Sequence, residues 1–125
     1  MKKLFISVPM KGRTEENIRK SMEKMHKIAE AVFGEELEVI PSYTEQRPPE
    51  NAHQAVWYLG ESIKKLSEAD YFIGIEWCSY ISGCDVERMV ASNYLGDKSC
   101  YLVPQRRVVS PEEYKEIKEA ILVGE

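Results

Sequence analysis

The chain has 125 residues, which is enough for one domain with one hydrophobic core. A hydrophobic content of 43% and a charged content of 30% are ordinary for a globular protein. The net charge of −4 argues against a non-specific nucleic-acid binder. A small anionic ligand remains compatible with this charge, because a local site can be positive on an acidic protein.

Cysteine and histidine usage argues against disulfides and metal sites. Cys78, Cys84 and Cys100 are odd in number and loosely spaced, which is typical of reduced thiols in the cytoplasm. There is no CxxC pair, and the histidines are His26 and His53, so we expect no zinc site and no cofactor. The N-terminal apolar run is too short for a signal peptide, and no run reaches transmembrane length. A cytoplasmic location and no membrane partner are therefore expected.

The first half of the chain predicts a strand, a helix and a second strand. Residues 4–8 are almost all apolar, which is typical of a strand that is buried on both faces. After the loop PMKGR, Thr14 is a good helix cap, and apolar residues recur with helical spacing until Gly34. Residues 37–41 predict the second strand.

The second half repeats the alternation of helix and strand. The predicted helices span about 52–66, 85–95 and 111–122, and the predicted strands span 70–77 and 99–103. This βαβαβαβα order predicts an α/β fold, in which a central parallel sheet of four to five strands lies between helices on both faces. Ligands of such sheets bind beyond the carboxyl ends of the strands, at a topological switch point.

Glu87 is the first candidate for chemistry, because the stretch SGCDVERMVAS (82–92) follows the third strand at this edge of the sheet. We expect Asp85 and Glu87 in the first turn of a helix, where the helix dipole keeps a carboxylate ionised. An ionised carboxylate in a cleft can attack the anomeric carbon of a sugar. The alternative is an ordinary acidic residue at a helix start.

The loop PMKGRT (9–14) is the second candidate. Gly12 allows the backbone to turn, Lys11 and Arg13 are cationic, and the amides that begin the next helix are free to bind an anion. The pattern is not a P-loop, since GxxxxGK[ST] is absent. A phosphate site and a solvated loop are both open.

Several polar and aromatic residues border the same predicted cleft. Trp57 and the adjacent Tyr58 can stack on a base, although aromatic residues at helical spacing are more often part of the core. Glu61 and Ser62 follow on the same helix. Asp70 opens the third strand, where a bond to the loop backbone is the alternative. Further candidates lie in or next to the loop after that strand: Trp77, Ser79, Ser82 and Gly83.

Taken together, FISVPMKGRT, the Ala69–Asp70 pair and SGCDVERMVA resemble the nucleoside 2-deoxyribosyltransferase superfamily, across roughly residues 3 to 103. The similarity is to a small phage- or prophage-type branch that is related to the 2′-deoxynucleoside 5′-phosphate N-hydrolases. This resemblance implies a flavodoxin-like sheet and a glutamate nucleophile four residues after a glycine, which Gly83 and Glu87 match. It implies that the segment after the first strand binds the substrate and its 5′-phosphate: Ser7, Pro9, Met10, Lys11, Gly12 and Arg13.

Two positions depart from the family's pattern. Phe5 occupies the place of a tyrosine that orients the glutamate, and Ser62 occupies the place of an aspartate that contacts the substrate, with Glu61 beside it. The leading expectation is an N-glycosidase, hydrolase or deoxyribosyltransferase, that acts on a (deoxy)nucleoside 5′-monophosphate as a homodimer or larger oligomer. The alternatives are a non-catalytic protein that sequesters a nucleotide-derived signal, as in phage anti-defence, and an interaction domain without a ligand.

Overall fold

The computed structural model describes residues 1–41, 46–77 and 82–123. The strands are β1 (Lys2–Ile6), β2 (Leu37–Val39), β3 (Tyr71–Glu76) and β4 (Cys100–Pro104). The helices are α1 (Glu15–Phe33), α2 (Gln54–Leu66), α3 (Ser82–Tyr94) and α4 (Pro111–Val123). Short 3-10 turns at Asp97–Ser99 and Gln105–Arg107 flank β4.

The four strands form one parallel sheet in the order β2-β1-β3-β4. The predicted α/β fold is confirmed, and the arrangement is that of a flavodoxin-like three-layer sandwich. From β1 the chain moves outward to β2, returns past β1 to β3, and then continues outward to β4. The switch point is therefore between β1 and β3, where the backbone N–H of Ser7 extends the pairing to the carbonyl of Ile73 at 2.9 Å.

Two apolar cores lie on opposite faces of the sheet. Side chains alternate along β1, so Leu4 and Ile6 face one core while Phe5 faces the other. The larger core packs against α1 and α4, through Met25 and Ile117 among others. The smaller core packs against α2 and α3, and its fully buried residues include Phe72 and Ala91. This division explains why β1 and β3 are apolar almost throughout.

The ends of α1 follow the predicted capping signals. The side chain of Thr14 accepts a hydrogen bond from the backbone N–H of Asn17 at 3.1 Å. Gly34 ends the helix with φ 74°, a left-handed conformation that favours glycine. Pro111 begins α4 as predicted, one residue after Ser110, whose hydroxyl accepts from the N–H of Glu113.

Helix α3 begins earlier than predicted. It starts at Ser82, and Gly83 lies in its first turn with none of the positive φ that a glycine turn would require. Asp85 is in the first turn as expected, but Glu87 is in the second turn, so that part of the prediction is wrong. A glycine allows a turn but does not impose one, and here the helix continues through it.

None of the helices in the described part of the chain is long and apolar enough to cross a membrane.

Candidate functional site

The candidate site is a cavity of about 260 Å³ at the carboxyl ends of β1 and β2, next to the switch point. Residues from the loop after β1, from the end of β2, from α2 and from α3 meet there, as the strand order predicts. The described residues that line it are Phe5, Ile6, Val8, Met10, Ile40, Pro41, Tyr58, Glu61, Ser62, Lys65 and Glu87.

Glu87 is the most unusual residue of this cavity, because it is an acid with only 9% of its surface exposed. The Ser7 hydroxyl donates a hydrogen bond of 2.6 Å to its Oε1 atom. Ser7 itself is 2% exposed and directly follows β1, so the sheet fixes the position of this donor. Ser7 therefore contacts the carboxylate and is not among the residues that line the cavity, so its predicted contact with a substrate stays a prediction.

Burial raises the pKa of Glu87 above its ordinary value, while the hydroxyls of Ser7 and Ser62 lower it in part. The direction is opposite to the sequence-based expectation, which rested on the helix dipole. Glu87 is in the second turn of α3, where the dipole acts weakly, so loss of hydration is the larger effect. The carboxylate is thus poorly solvated, which strengthens it as a nucleophile once it is ionised.

Glu61 and Ser62, both predicted from the sequence, lie in the cavity with Glu87. The Ser62 hydroxyl stabilises the ionised form of Glu87. Ser62 therefore assists the existing carboxylate and does not take the place of an acid. Glu61 is the second acid of the cavity, with a side chain 12% exposed and 2.8 Å from the Nζ atom of Lys64. The site therefore holds two carboxylates, which is the minimum set for most glycoside hydrolysis.

The aromatic wall of the cavity differs from the prediction. Tyr58 lines the cavity, whereas Trp57 is not among the lining residues and contacts the Tyr58 ring edge-on, with centroids 5.1 Å apart. Phe5 lines the cavity from β1. Its ring has no hydroxyl, and the hydroxyl that bonds to Glu87 is that of Ser7, two residues further along.

Arg13 contradicts its predicted role as a phosphate ligand. Its side chain has 0% exposed surface, and its Nε donates to the Glu113 carboxylate of α4 at 2.6 Å. Its remaining bonds go to the Pro9 and Asn17 carbonyl oxygens and to the Ser21 hydroxyl. Because its donors are bound to protein acceptors, Arg13 fastens the loop after β1 to α1 and α4.

Gly12, next to Arg13, also packs the loop after β1 against α4. Gly12 has φ 78°, and a Cβ atom there would lie 2.5 Å from the Ala120 Cβ of α4. Glycine is therefore required for close packing, in addition to the turn that the sequence predicts. Pro9 is buried, and Lys11 is exposed but is not among the residues that line the cavity. Val8 and Met10, the latter 47% exposed, are the residues after β1 that line it.

Asp70 lies at the amino edge of the sheet, opposite the cavity. Its Oδ2 accepts a hydrogen bond of 2.8 Å from the backbone N–H of Lys3, and its own N–H donates to the Lys3 carbonyl at 2.9 Å. The predicted substrate contact is contradicted, and the alternative role, a bond to backbone, is confirmed. Asp70 precedes β3 and so lies at the amino end of the strand, whereas ligands bind at the carboxyl ends of the strands.

The residues predicted from the segment after β3 have mixed outcomes. Trp77 packs in the core of the α1 and α4 face and stacks on Tyr114 with centroids 5.7 Å apart, away from the lining of the cavity. Its buried Nε1 has no partner among the described residues. Ser79 lies outside the described residues. Ser82 and Gly83 belong to α3, and no described heavy atom lies within 4 Å of where a Gly83 Cβ would be.

Cys84 precedes Glu87 by one helical turn and has no reactive character. It is 8% exposed, and burial together with the nearby Glu87 charge raises the pKa of its thiol to about 12. A thiol with such a pKa stays protonated at neutral pH and is a poor nucleophile. Cys84 and Cys100 are both free thiols, as the sequence predicts.

Five lining residues were not among the candidates from the sequence: Ile6, Val8, Ile40, Pro41 and Lys65. Lys65 is on the same helical face as Glu61 and Ser62, at a spacing of three to four residues, so this periodicity was the available signal. Ile40 and Pro41 directly follow β2, and the rule on carboxyl ends applies to them as well.

No cluster of three or more histidine, cysteine or acidic side chains that could hold a metal ion occurs in residues 1–41, 46–77 and 82–123. Comparison of the chain with protein-family models, with curated proteins and with solved structures gave no match. The fold and the geometry of the cavity are therefore the basis for any functional conclusion.

Proposed function

We propose that the protein is an N-glycosidase that cleaves the bond between base and sugar in a (deoxy)nucleoside 5′-monophosphate, with Glu87 as the nucleophile. The observation that carries this proposal is the 2.6 Å hydrogen bond from the buried Ser7 hydroxyl to Glu87. It holds one carboxylate oxygen, so the orientation of the other is restricted beside the cavity. An acid kept in this arrangement, at a cost in desolvation, suits chemistry better than structure.

In the proposed first step, a carboxylate oxygen of Glu87 forms a bond to the anomeric carbon of the sugar. The bond from this carbon to the base breaks, and the base leaves with the bonding electrons and takes up a proton from solvent water. A glycosyl ester on Glu87 results. The Tyr58 and Phe5 rings line the same cavity and offer apolar surface to a base or sugar face.

In the proposed second step, water attacks the anomeric carbon and releases the sugar from Glu87. Glu61 lines the same cavity and is the acid that would accept the proton of this water. If a second base attacks in place of water, the reaction is a transfer, so hydrolysis and transfer share the first step. Lys65 is the cationic side chain in the described lining and is suited to the phosphate.

A second candidate function is non-catalytic binding of a nucleotide or a nucleotide-derived signal. It is favoured by Arg13, which the resemblance assigns to the phosphate but which is bound to Glu113 instead. It is favoured also by the raised pKa of Glu87, since the protonated acid is no nucleophile. A binding protein and an enzyme would use the same cavity, so product formation distinguishes them.

Product analysis tests the proposal directly. The protein is incubated with the ribo- and deoxynucleoside 5′-monophosphates and with the nucleosides, and free base is measured by chromatography. We expect base release from at least one compound by the wild type and none by Glu87→Gln, which keeps the size of the side chain and can still accept from Ser7.

The control is Glu76→Gln, which neutralises an exposed glutamate at the end of β3 that does not line the cavity. This variant should release base at the wild-type rate. Release that persists in Glu87→Gln would refute the nucleophile. Binding of a compound without any base release by the wild type would refute the enzyme and support the binding function.

A further inference from the structure

A second cavity lies beside α1, on the other side of Met10 from Glu87. Its volume is about 460 Å³. We call it the α1 groove and define it by the side chains that form its apolar surface: Ile6, Met10, Ile18, Met22 and Val39. Nothing in the proposed reaction uses this groove.

The α1 groove adjoins the Glu87 cavity, because Ile6 and Met10 line both. Ile6 belongs to β1, is 8% exposed and is held by the sheet. Met10 is in the loop after β1 and is 47% exposed. Methionine is unbranched and has several rotatable bonds. The two cavities therefore adjoin at the side chains of Ile6 and Met10, of which Met10 is the adaptable one.

The volumes of the two cavities leave room for a ligand that extends from one into the other. Sites for small molecules usually enclose roughly 300–1,000 Å³. The Glu87 cavity, at about 260 Å³, is below this range, whereas the α1 groove, at about 460 Å³, lies within it. A ligand that reaches Glu87 and passes over Met10 would use both spaces.

The chemistry of the α1 groove suits a flat heterocycle. Met10 and Met22 place two polarisable thioethers in its lining, and methionine sulfur interacts favourably with aromatic rings. At its rim the Arg19 guanidinium lies 2.6 Å from the Glu23 carboxylate, and Glu15 is a further acid of the lining. His26 is likewise bonded, with Nε2 2.9 Å from the Leu37 carbonyl oxygen. The groove therefore favours an uncharged ring over a phosphate.

We propose that the preferred ligand is a dinucleotide, with one sugar beside Glu87 and the second base in the α1 groove. This inference rests on the proposed function and specifies its substrate class. The linking phosphate passes over Met10, next to Lys11, which follows it in the loop and is exposed. A mononucleotide fills only the Glu87 cavity.

Affinity measurements separate the two ligand sizes. Binding of the four deoxynucleoside 5′-monophosphates and of the four matching dinucleoside monophosphates is measured by calorimetry with Glu87→Gln, which prevents turnover. We expect a dinucleotide to bind on the order of tenfold more tightly than its mononucleotide, because the second ring is buried against methionine.

Met22→Glu places a charge in the α1 groove and should remove this advantage while leaving mononucleotide affinity unchanged. The matched control is Met89→Glu on α3, where the methionine is 52% exposed and lines neither cavity. It should preserve the advantage. Glu15→Trp, at an exposed residue of the groove rim, is a second blocking variant that does not disturb the core.

Equal affinity of mononucleotide and dinucleotide for the Glu87→Gln protein would overturn the inference. Tighter binding of the dinucleotide that survives both blocking variants would overturn it as well. Either result leaves the glycosidase proposal standing if mononucleotides release base. Absence of base release from every compound refutes the glycosidase, while a dinucleotide advantage lost in the blocking variants would still support the two-ring ligand.

Discussion

At the scale of single residues, the site is a compromise between burial and charge. Glu87 is removed from water by the packing of α3 on the sheet, and it keeps one short hydrogen bond from Ser7 and the influence of Ser62. A folded structure without a function at this position would gain by replacing the acid with a neutral side chain. The burial of the Glu87 carboxylate should therefore affect the pH dependence of both stability and catalysis.

Glu87→Gln is expected to stabilise the protein at neutral pH. The pKa of Glu87 is raised in the folded state, so the folded protein binds more protons than the unfolded chain, and the free energy of unfolding decreases as pH rises above the ordinary range of glutamate. Glutamine avoids this loss. Urea denaturation at pH 7 should show a gain of roughly 0.5–2 kcal/mol, the range of a single stabilising substitution.

The difference should disappear in acid, below the ordinary glutamate pKa of about 4.3, where Glu87 is protonated in both states. Glu76→Gln provides the exposed control and should change stability little at either pH. A Glu87→Gln protein that is less stable than wild type at pH 7 would contradict the buried, poorly solvated carboxylate.

Ser7→Ala is expected to move the acid limb of the pH–rate profile to higher pH. The Ser7 hydroxyl stabilises the carboxylate, so its removal raises the pKa of Glu87 further. A hydrogen bond to a charged group contributes about 1.5–3 kcal/mol, so kcat/KM at neutral pH should fall by about 10- to 100-fold. Base release measured from pH 5 to 9 provides the profile.

Ser21→Ala is the control for Ser7→Ala, because Ser21 is equally buried but bonds to Arg13. It should leave the midpoint of the profile in place even if the protein loses stability. A Ser7→Ala profile with an unchanged midpoint and a uniformly lower rate would assign to Ser7 a packing role only.

At the scale of elements, α4 holds the loop that carries the site. Arg13 bonds to Glu113, and Gly12 packs against Ala120, so two consecutive loop residues contact this helix. The same loop begins at Ser7, which orients Glu87. It also contains Met10, which lines the cavity. A substitution that breaks these contacts with α4 should therefore alter the geometry of the site, although the substituted residue lies outside the cavity.

Arg13→Met is expected to destabilise the protein by about 3–5 kcal/mol, because it leaves the Glu113 carboxylate without its buried partner. Replacing both partners, as in Arg13→Met with Glu113→Leu, should recover much of this loss, since a buried ion pair is often no better than apolar packing. Thermal or urea unfolding of the two single variants and the double variant measures the coupling.

The exposed pair of Arg19 and Glu23, within α1, is the control. Breaking it with Arg19→Met should cost less than about 1 kcal/mol. Equal losses at the two pairs would mean that the Arg13 side chain is solvated and that the loop is not held by α4.

The helices and strands are predictable from the sequence because their signals are local. Thr14 and Gly34 mark the ends of α1, and the alternation of apolar strands with amphipathic helices predicts the parallel sheet. The position of Glu87 at the switch point follows from the order of elements. Arg13 could not be assigned in this way, since Glu113 is 100 residues away along the chain and nothing local shows that they meet.

The same limit applies to the residues of the cavity. The spacing on α2 places Glu61 and Ser62 at one edge but does not decide between Trp57 and Tyr58, which are adjacent and similar. The bond from Ser7 to Glu87 joins residues 80 positions apart and depends on the depth of α3 on the sheet. Packing of this kind is determined by tertiary contacts, which periodicity does not report.

At the scale of the whole molecule, the sheet has a protected centre and two edges. In the described sheet, β1 pairs with β2 and β3, and β3 pairs with β1 and β4, while β2 and β4 each have one neighbour. The two central strands carry Leu4, Phe72 and Ile73, whose side chains are fully buried. The switch point next to the cavity lies between two strands that each have a neighbour on both sides.

Amide hydrogen exchange should follow this arrangement. We expect the slowest exchange in β1 and β3, faster exchange in β4, and the fastest strand exchange in β2, which has only the three residues Leu37–Val39. Mass spectrometry of peptic fragments measures it. Protection of β2 that equals that of β1 would contradict the edge position and indicate that another chain covers this strand, as the expected homo-oligomer would allow.

The dependence of the N-terminal loop on α4 has a consequence for the order of folding. The residues that hold and orient Glu87 come from both early and late parts of the chain, and Glu113 and Ala120 follow every strand in the sequence. A chain that has paired its four strands but has not yet docked α4 still lacks the anchor of the Ser7 to Arg13 loop. The geometry around Glu87 is therefore completed later than the sheet that carries it.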